Sequence, residues 1–327
     1  MFKNIKMGKL YIAYATDENY IQHVTVSIKS LIKVAKDIAQ YEVYLLANNL
    51  AESTIAELRN FSDKNHLSLY IIRVDNLKEI LPENINWGKL SITTYLRLFL
   101  AEFLPPVIDK VLYLDCDTVI IQDLTYLKEY SMEDFLVCGV EDTMPPEIKE
   151  QIGLKKSDSY INAGVLLVNL KKWRDTKVSK HFMSFIDHFN GEVPFGDQGV
   201  INGVLREHGI LPLVYNVHSP IYAIYKYNDL LRFFSLDSYY SPDEVERAKK
   251  SPIILHYTAL FVDRPWFRFC LHPQKKYYRN LLKVPPFAKD RLQKNQYGWR
   301  RKFKMLVFSY LQPIYFVLKY SKDRIMR

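Results

Sequence analysis

Short apolar runs alternate with amphipathic segments along most of this chain, and that alternation constrains the fold more than any other feature. The runs Leu10 to Ala15, Glu42 to Ala47, Leu67 to Val74, Val111 to Leu114, Gly164 to Asn169 and Ile253 to Tyr257 have the length and character of strands. Between them, Val24, Ile28, Leu31, Ile32 and Ala35 keep helical spacing, as do Tyr95, Leu98 and Phe99 with Leu96 on the flank, and Val200, Val204 and Leu205. Such alternation predicts an α/β fold with a largely parallel sheet and helices on both faces. Ligands in such sheets bind outside the carboxyl ends of the strands, so chemistry is sought in the polar residues just after each strand.

Composition narrows the class. With 327 residues, 48% hydrophobic and 25% charged, the chain has enough apolar material for a packed core, which excludes disorder and low complexity. The length suits one large domain or one domain with an appendage. Three scattered cysteines, Cys116, Cys138 and Cys270, are too few for a disulfide scaffold or a paired-cysteine zinc site and fit a reducing compartment. The first fifteen residues lack the long apolar stretch and small-residue cleavage site of a secretory signal, so a cytoplasmic location is expected. Net charge is +9, yet residues 289–327 hold eleven of the 45 Lys and Arg and two of the 36 acids, leaving 34 of each sign in the body. A neutral body with a basic appendage is not a nucleic-acid-binding surface, and no nucleic-acid partner is expected. The Pro-containing run Val284 to Phe287 marks the expected boundary, dividing a domain of residues 1–284 from an extension of residues 285–327.

The first strand ends in Ala15-Thr16-Asp17-Glu18-Asn19-Tyr20, with neither a dinucleotide fingerprint nor a phosphate loop. A nucleotide bound there needs another device for its phosphate charge, and a carboxylate-held metal supplies one. Lys110 to Leu114 runs directly into Asp115-Cys116-Asp117. In an extended chain the two carboxylates share a side and Cys116 faces away. Paired carboxylates repel unless a cation such as Mg2+ or Mn2+ sits between them. A solvated turn with a capping Asp is the plainer account of an isolated Asp-x-Asp. Asn162-Ala163-Gly164 offers a donor and acceptor beside a small pair that admits another group close to the backbone; a strand start with a packing glycine has equal standing. Taken singly, Arg97 reads as a helix-surface ion-pair residue, His256 as a core histidine, and Asp197, after Pro194-Phe195-Gly196, as a helix N-cap.

Together these segments resemble glycosyltransferase family 8, in particular the bacterial enzymes that transfer galactose or glucose from a UDP-sugar in lipopolysaccharide or lipooligosaccharide synthesis. Carrying the resemblance are Ala15 to Tyr20, Ser91 to Arg97, Val111 to Asp117, Asn162 to Arg174, Asp197-Gln198, Asn202-Gly203, His256-Tyr257 and Pro265-Trp266, in family order over most of the chain. The resemblance implies a GT-A single domain with a mixed, mostly parallel central sheet flanked by helices. It also implies a retaining, metal-dependent reaction using Mn2+ or Mg2+. By position it makes Asp115, Asp117 and His256 metal ligands, Asp17 and Asn19 contacts of uridine, and Arg97 a contact of the donor sugar or phosphate. Asp142, Asn162, Ala163 and Gly164 fall in the donor site. Asp197 matches a residue that grips hydroxyls of the transferred sugar, and Gln198 one beside the anomeric carbon, which makes this pair the catalytic candidates. Ala259 and Arg264 stand where the family has Gly and Lys, and Arg264 can still clamp phosphate with a planar fork. Phe195 and Lys89 occupy acceptor-side positions with other residue types, so no acceptor is implied beyond a saccharide.

From Trp299 the tail places basic clusters around the apolar, aromatic run Met305 to Leu318, which is too short to cross a bilayer. This pattern suits a segment lying on an anionic membrane, and the resemblance implies a lipid-linked acceptor at the inner face of the cell membrane. Packing on the protein's own core or a dimer contact would use the same apolar run. The competing function is a peripheral membrane protein that binds a nucleotide sugar without turning it over.

Overall fold

Strands buried on both faces read as unbroken apolar runs, because alternate residues feed two different cores. Strand β1 (Leu10–Asp17) sends Leu10, Ile12 and Tyr14 into one cluster and Ala13 and Ala15 into the other. The same division holds in β2 (Tyr41–Asn48), with Tyr41, Val43, Leu45 and Ala47 opposed to Tyr44 and Leu46. It recurs in β4 (Lys110–Leu114) and β7 (Ile161–Asn169). The computed structural model describes residues 8–74, 81, 85, 91–288 and 292–325, with the side chains of the last five left aside; Lys89 and the first seven residues lie outside this range.

With β3 (Ser68–Arg73), β6 (Val137–Glu141) and β8 (Gly209–Ile210), these strands form one seven-stranded sheet in the order β3-β2-β1-β4-β7-β6-β8. Strands β3, β2, β1 and β4 run parallel, whereas β7 runs antiparallel to both β4 and β6. The sheet is thus mixed and mostly parallel, flanked by helices such as Ile21–Val34 on one side and Gly196–Val204 on the other. Reversal of β7 has a direct consequence for chemistry. Leu114 pairs with Val165, and the Asp115 N–H donates to the Gly164 carbonyl at 2.8 Å, so the start of β7 lies beside the end of β4.

A second, three-stranded sheet closes the same end. Strand β5 (Thr118–Ile120) pairs antiparallel with β10 (Ile254–His256), which pairs parallel with β9 (Val217–His218). In this register His256 stands opposite Thr118, one residue beyond Asp117, and the Tyr257 N–H donates to the Asp117 carbonyl.

The C-terminal residues form two helices, Trp299–Tyr310 and Gln312–Ile325. Their inner side joins the body: Met305, Phe308 and Phe316 are buried, and Phe308 stacks on Phe261 with ring centroids 4.4 Å apart. The Gln312 amide bridges the turn after Tyr222, accepting from the Tyr225 N–H at 2.9 Å and donating to the Ala223 carbonyl. Their outer side leaves Trp299, Phe303, Tyr310, Ile314, Val317 and Leu318 exposed. No helix among the described residues is long and apolar enough to cross a membrane.

Candidate active site

At the carboxyl ends of β1 and β4 lies a cavity of about 390 Å3, lined among others by Asp17, Thr93, Arg97, Asp115, Asp117, Asp197, Gln198 and Arg264. Asp17 is held by its own loop. Its carboxylate accepts from the Asn19 and Tyr20 N–H groups at 3.0 and 3.2 Å, and from the Ser91 and Thr93 hydroxyls at 2.9 and 3.2 Å. Asn19 and Ala259 are exposed and lie outside the lining.

The two central carboxylates converge differently from a continued strand. Strand β4 stops at Leu114, and the chain turns, with the Thr118 N–H and hydroxyl both donating to the Asp115 carbonyl at 3.2 and 2.8 Å. Cys116 therefore does not face away across a sheet; it lines the cavity, its thiol donating to the Ala15 carbonyl, and burial pushes that thiol far above its usual range. His256 Nε2 lies 3.1 Å from Asp117 Oδ1 and 3.8 Å from Asp115 Oδ2. One ligand atom from each of the three residues falls within 4.8 Å of the others. Burial alone would raise the Asp117 carboxyl, but His256 and Arg264 hold it below the usual carboxylate range; burial alone would lower His256, but Asp117 raises it above the ordinary imidazole value.

Gly164 makes this approach possible. A Cβ there would sit 2.2 Å from His256 Cε1 and 2.9 Å from Asp115 Oδ2, so no side chain fits between β7 and the imidazole. Two carboxylates and one imidazole with room between them are a donor set for a divalent cation.

Arg97 sits on a 3-10 helix (Ile92–Phe99), not on a helix surface, and is only 4% exposed. Its fork donates to Asp115 Oδ1 at 2.8 Å, Asp197 Oδ2 at 2.9 Å and the Ala163 carbonyl at 2.7 Å. Burial opposes its charge, but the two carboxylates raise Arg97 further above its ordinary value. Burial pushes the Asp197 carboxyl up to about 6 against the pull of Arg97. Asp197 and Gln198 open the helix Gly196–Val204, and Gly199 lets the Pro194 carbonyl close against that helix, where a Cβ would lie 2.0 Å away.

Beneath the cavity runs a chain of amides. Gln198 Oε1 accepts from the Ala163 N–H at 3.0 Å, and its Nε2 donates to Asp142 Oδ2 at 3.0 Å. Asn162 Nδ2 donates to the same Asp142 oxygen at 2.9 Å, while Asn162 Oδ1 accepts from the Gly164 N–H and from Asn216 Nδ2. Asn216 Oδ1 reaches His256 Nδ1 at 3.0 Å, and His218 Nε2 lies 3.7 Å from Asp142. Asn216 and His218 escape a reading of the sequence. Their only signal is two polar residues flanking Val217 in a segment too short to show a period.

Residues 11–270 match the family described as Glycosyl transferase family 8, which is most of the chain. The chain belongs to glycosyltransferase family 8. Among curated relatives, a lipopolysaccharide 1,2-glucosyltransferase of Escherichia coli strain K12 is 27% identical over 309 residues, covering 92% of this chain and 86% of that protein. General stress protein A of Bacillus subtilis strain 168 is 20% identical, covering 82% and 91%. Among solved structures, the galactosyltransferase LgtC in complex with donor and acceptor sugar analogues superposes with a TM-score of 0.69 at 25% identity, covering 90% of this chain and all of that one. The fold of this family 8 glycosyltransferase is accordingly of the GT-A type that its sequence resembles. In such a transferase the Asp115, Asp117 and His256 cluster is suited to a divalent metal, and the cavity beside it is large enough for a small ligand.

Proposed function

We propose that this glycosyltransferase moves galactose or glucose, with retention, from a UDP-sugar to a lipid-linked saccharide acceptor of a surface glycan such as lipopolysaccharide, using Mn2+. The observation that carries the proposal is the convergence of Asp115 and Asp117 with His256, the two aspartates lining a cavity together with the Arg97–Asp197 pair and Gln198. A divalent ion there supplies Lewis-acid neutralisation of the charge that builds on a departing diphosphate. Arg264 adds a fixed cation: its guanidinium stands 3.5 Å from Asp117 Oδ2, and its buried Nε has no partner among the described residues, which suits it to an anionic oxygen. Asp197, held by Arg97, presents a buried carboxylate to sugar hydroxyls, and the Ala163 N–H and Asp142 hold the Gln198 amide in one orientation. Groups held in this way bring the acceptor hydroxyl and the anomeric carbon together without reorganisation.

Released UDP, measured over a panel containing UDP-galactose and UDP-glucose with Mn2+ or Mg2+, tests the proposal, because the relatives divide between the two sugars. One donor is expected to be consumed, and EDTA to stop it. Binding of UDP-sugar with no UDP released under any condition would instead identify a nucleotide-sugar-binding protein.

We place the protein on the cytoplasmic face of the membrane through the outer side of its C-terminal helices. Trp299 and Tyr310 there are about 70% exposed, beside the exposed cations Arg300, Arg301 and Lys304. Aromatic residues and cations side by side suit the headgroup region of an anionic bilayer. The triple variant Trp299→Ser, Phe303→Ser, Val317→Ser should lose co-sedimentation with phosphatidylserine vesicles at low salt; undiminished pelleting refutes the placement.

A further inference from the structure

We infer that Asn216 is a positioning residue which fixes His256 in the tautomer that leaves Nε2 free for the metal. The inference rests on the metal reading above and follows from hydrogen-bond polarity. The Gly164 N–H is a backbone donor and cannot reverse, so the Asn162 atom 3.0 Å from it is the carbonyl oxygen Oδ1. Asn162 Nδ2 then faces Asp142 Oδ2 at 2.9 Å, donor to acceptor. Because Asn162 Oδ1 also meets the Asn216 amide at 2.8 Å, the Asn216 atom there is the donor Nδ2. That leaves Asn216 Oδ1, which only accepts, 3.0 Å from His256 Nδ1. Nδ1 must therefore carry a hydrogen, so Nε2, 3.1 Å from Asp117 and 3.8 Å from Asp115, is the ring nitrogen whose proton a cation can replace.

Rotating the Asn216 amide would set acceptor against acceptor at Asn162 and a donor against the Nδ1 hydrogen of His256. Asn216 is fully buried, so bulk solvent does not reach it to replace a lost partner. Its position follows from topology, since β9 runs parallel beside β10 with His218 in register with His256. A backbone hydrogen on β7 thus sets the proton position of an imidazole on β10 through two side-chain amides. Partners of this kind fix ring orientation in metal sites, and losing one costs about 10–100-fold in affinity.

The test compares Asn216→Asp, which keeps an acceptor for Nδ1, with Asn216→Leu, which has none. Mn2+ is titrated calorimetrically into each folded protein with saturating UDP, and pulsed electron paramagnetic resonance of bound Mn2+ is recorded on protein labelled with 15N at histidine Nε2. Expected are a 10–100-fold loss for N216L, a clearly smaller loss for N216D, which keeps the acceptor for Nδ1 but lacks the donor for Asn162, and 15N coupling from Nε2 in the parent and N216D. Equal affinity of N216L and parent overturns the inference, as does equal loss in both variants. Should N216L not fold, absence of Nε2 coupling in the parent overturns it equally. A parent that binds no Mn2+ overturns the metal reading itself, whereas a parent that binds Mn2+ while the variants disobey overturns only the role of Asn216.

Discussion

Replacing Gly164 by Ala adds one carbon where His256 passes β7. That carbon would stand 2.2 Å from Cε1 and 2.8 Å from Nδ1 of the imidazole, and 2.9 Å from Asp115 Oδ2. Carbon atoms in contact settle at about 3.5–4.0 Å, so the ring or the strand must yield by more than about 1 Å. The ring has little room, because Asn216 holds Nδ1 at 3.0 Å and the Tyr257 N–H pins the backbone to Asp117. Metal-ligand distances tolerate about 0.2 Å, and a ring displaced several times that far no longer serves as a ligand. Overpacking itself costs about 1–3 kcal/mol, which lowers the melting temperature by a few degrees. G164A is therefore expected to stay folded while its Mn2+ affinity drops by at least about 100-fold, the upper end of what losing an outer-shell partner costs. Calorimetric titration of Mn2+ in the presence of UDP reads the first effect and differential scanning calorimetry in EDTA the second. A G164A protein that binds Mn2+ within threefold of the parent would show that His256 is not a ligand or that its place is not set by β7.

Three further outcomes are expected. Arg97→Met leaves Asp115 and Asp197 without the fork that holds both, and should cost about 3–5 kcal/mol in urea denaturation, as breaking a buried ion pair does. His23 is buried, hydrogen-bonded to Tyr278 and packed at a tilt against Trp266, and burial lowers it to about 4. Its contribution to stability is complete above pH 6.5, the unfolded value, and is lost as pH falls from there through 4, by roughly 3 kcal/mol; urea midpoints across that window should fall less steeply in His23→Gln. Phe308→Ala opens a hole among Phe233, Phe261 and Phe316 and should cost about 3–5 kcal/mol, so removing residues 289–327 should destabilise the catalytic body as well as weaken vesicle binding.

The long strands were legible because their apolar runs are continuous, and β1, β2, β3, β4, β7 and β10 all contain or overlap the predicted segments. The reversal of β7 within the mostly parallel sheet was not. A strand covered on both faces has the same composition whether it runs parallel or antiparallel, so nothing in Ile161 to Asn169 announces that it reverses. Strands β8 and β9 have two residues each, too few to show a repeating pattern, and with β9 went Asn216 and His218. Gly164 was legible as a close approach, although the approaching group, His256, was fixed only by the β5–β10 register. Arg97 misled when read singly because helical spacing indicates a face and not what covers it; the covering carboxylates come from Asp115 and Asp197, 18 and 100 positions downstream.

The metal cluster draws its acids from the middle of the chain and its imidazole from β10, which must seat itself between β5 and β9. On the ribosome, a nascent polypeptide halted before Ile254 presents the aspartates without their nitrogen partner. Assembly of the three-residue cluster thus awaits synthesis of β10, and a product terminated before it lacks the imidazole.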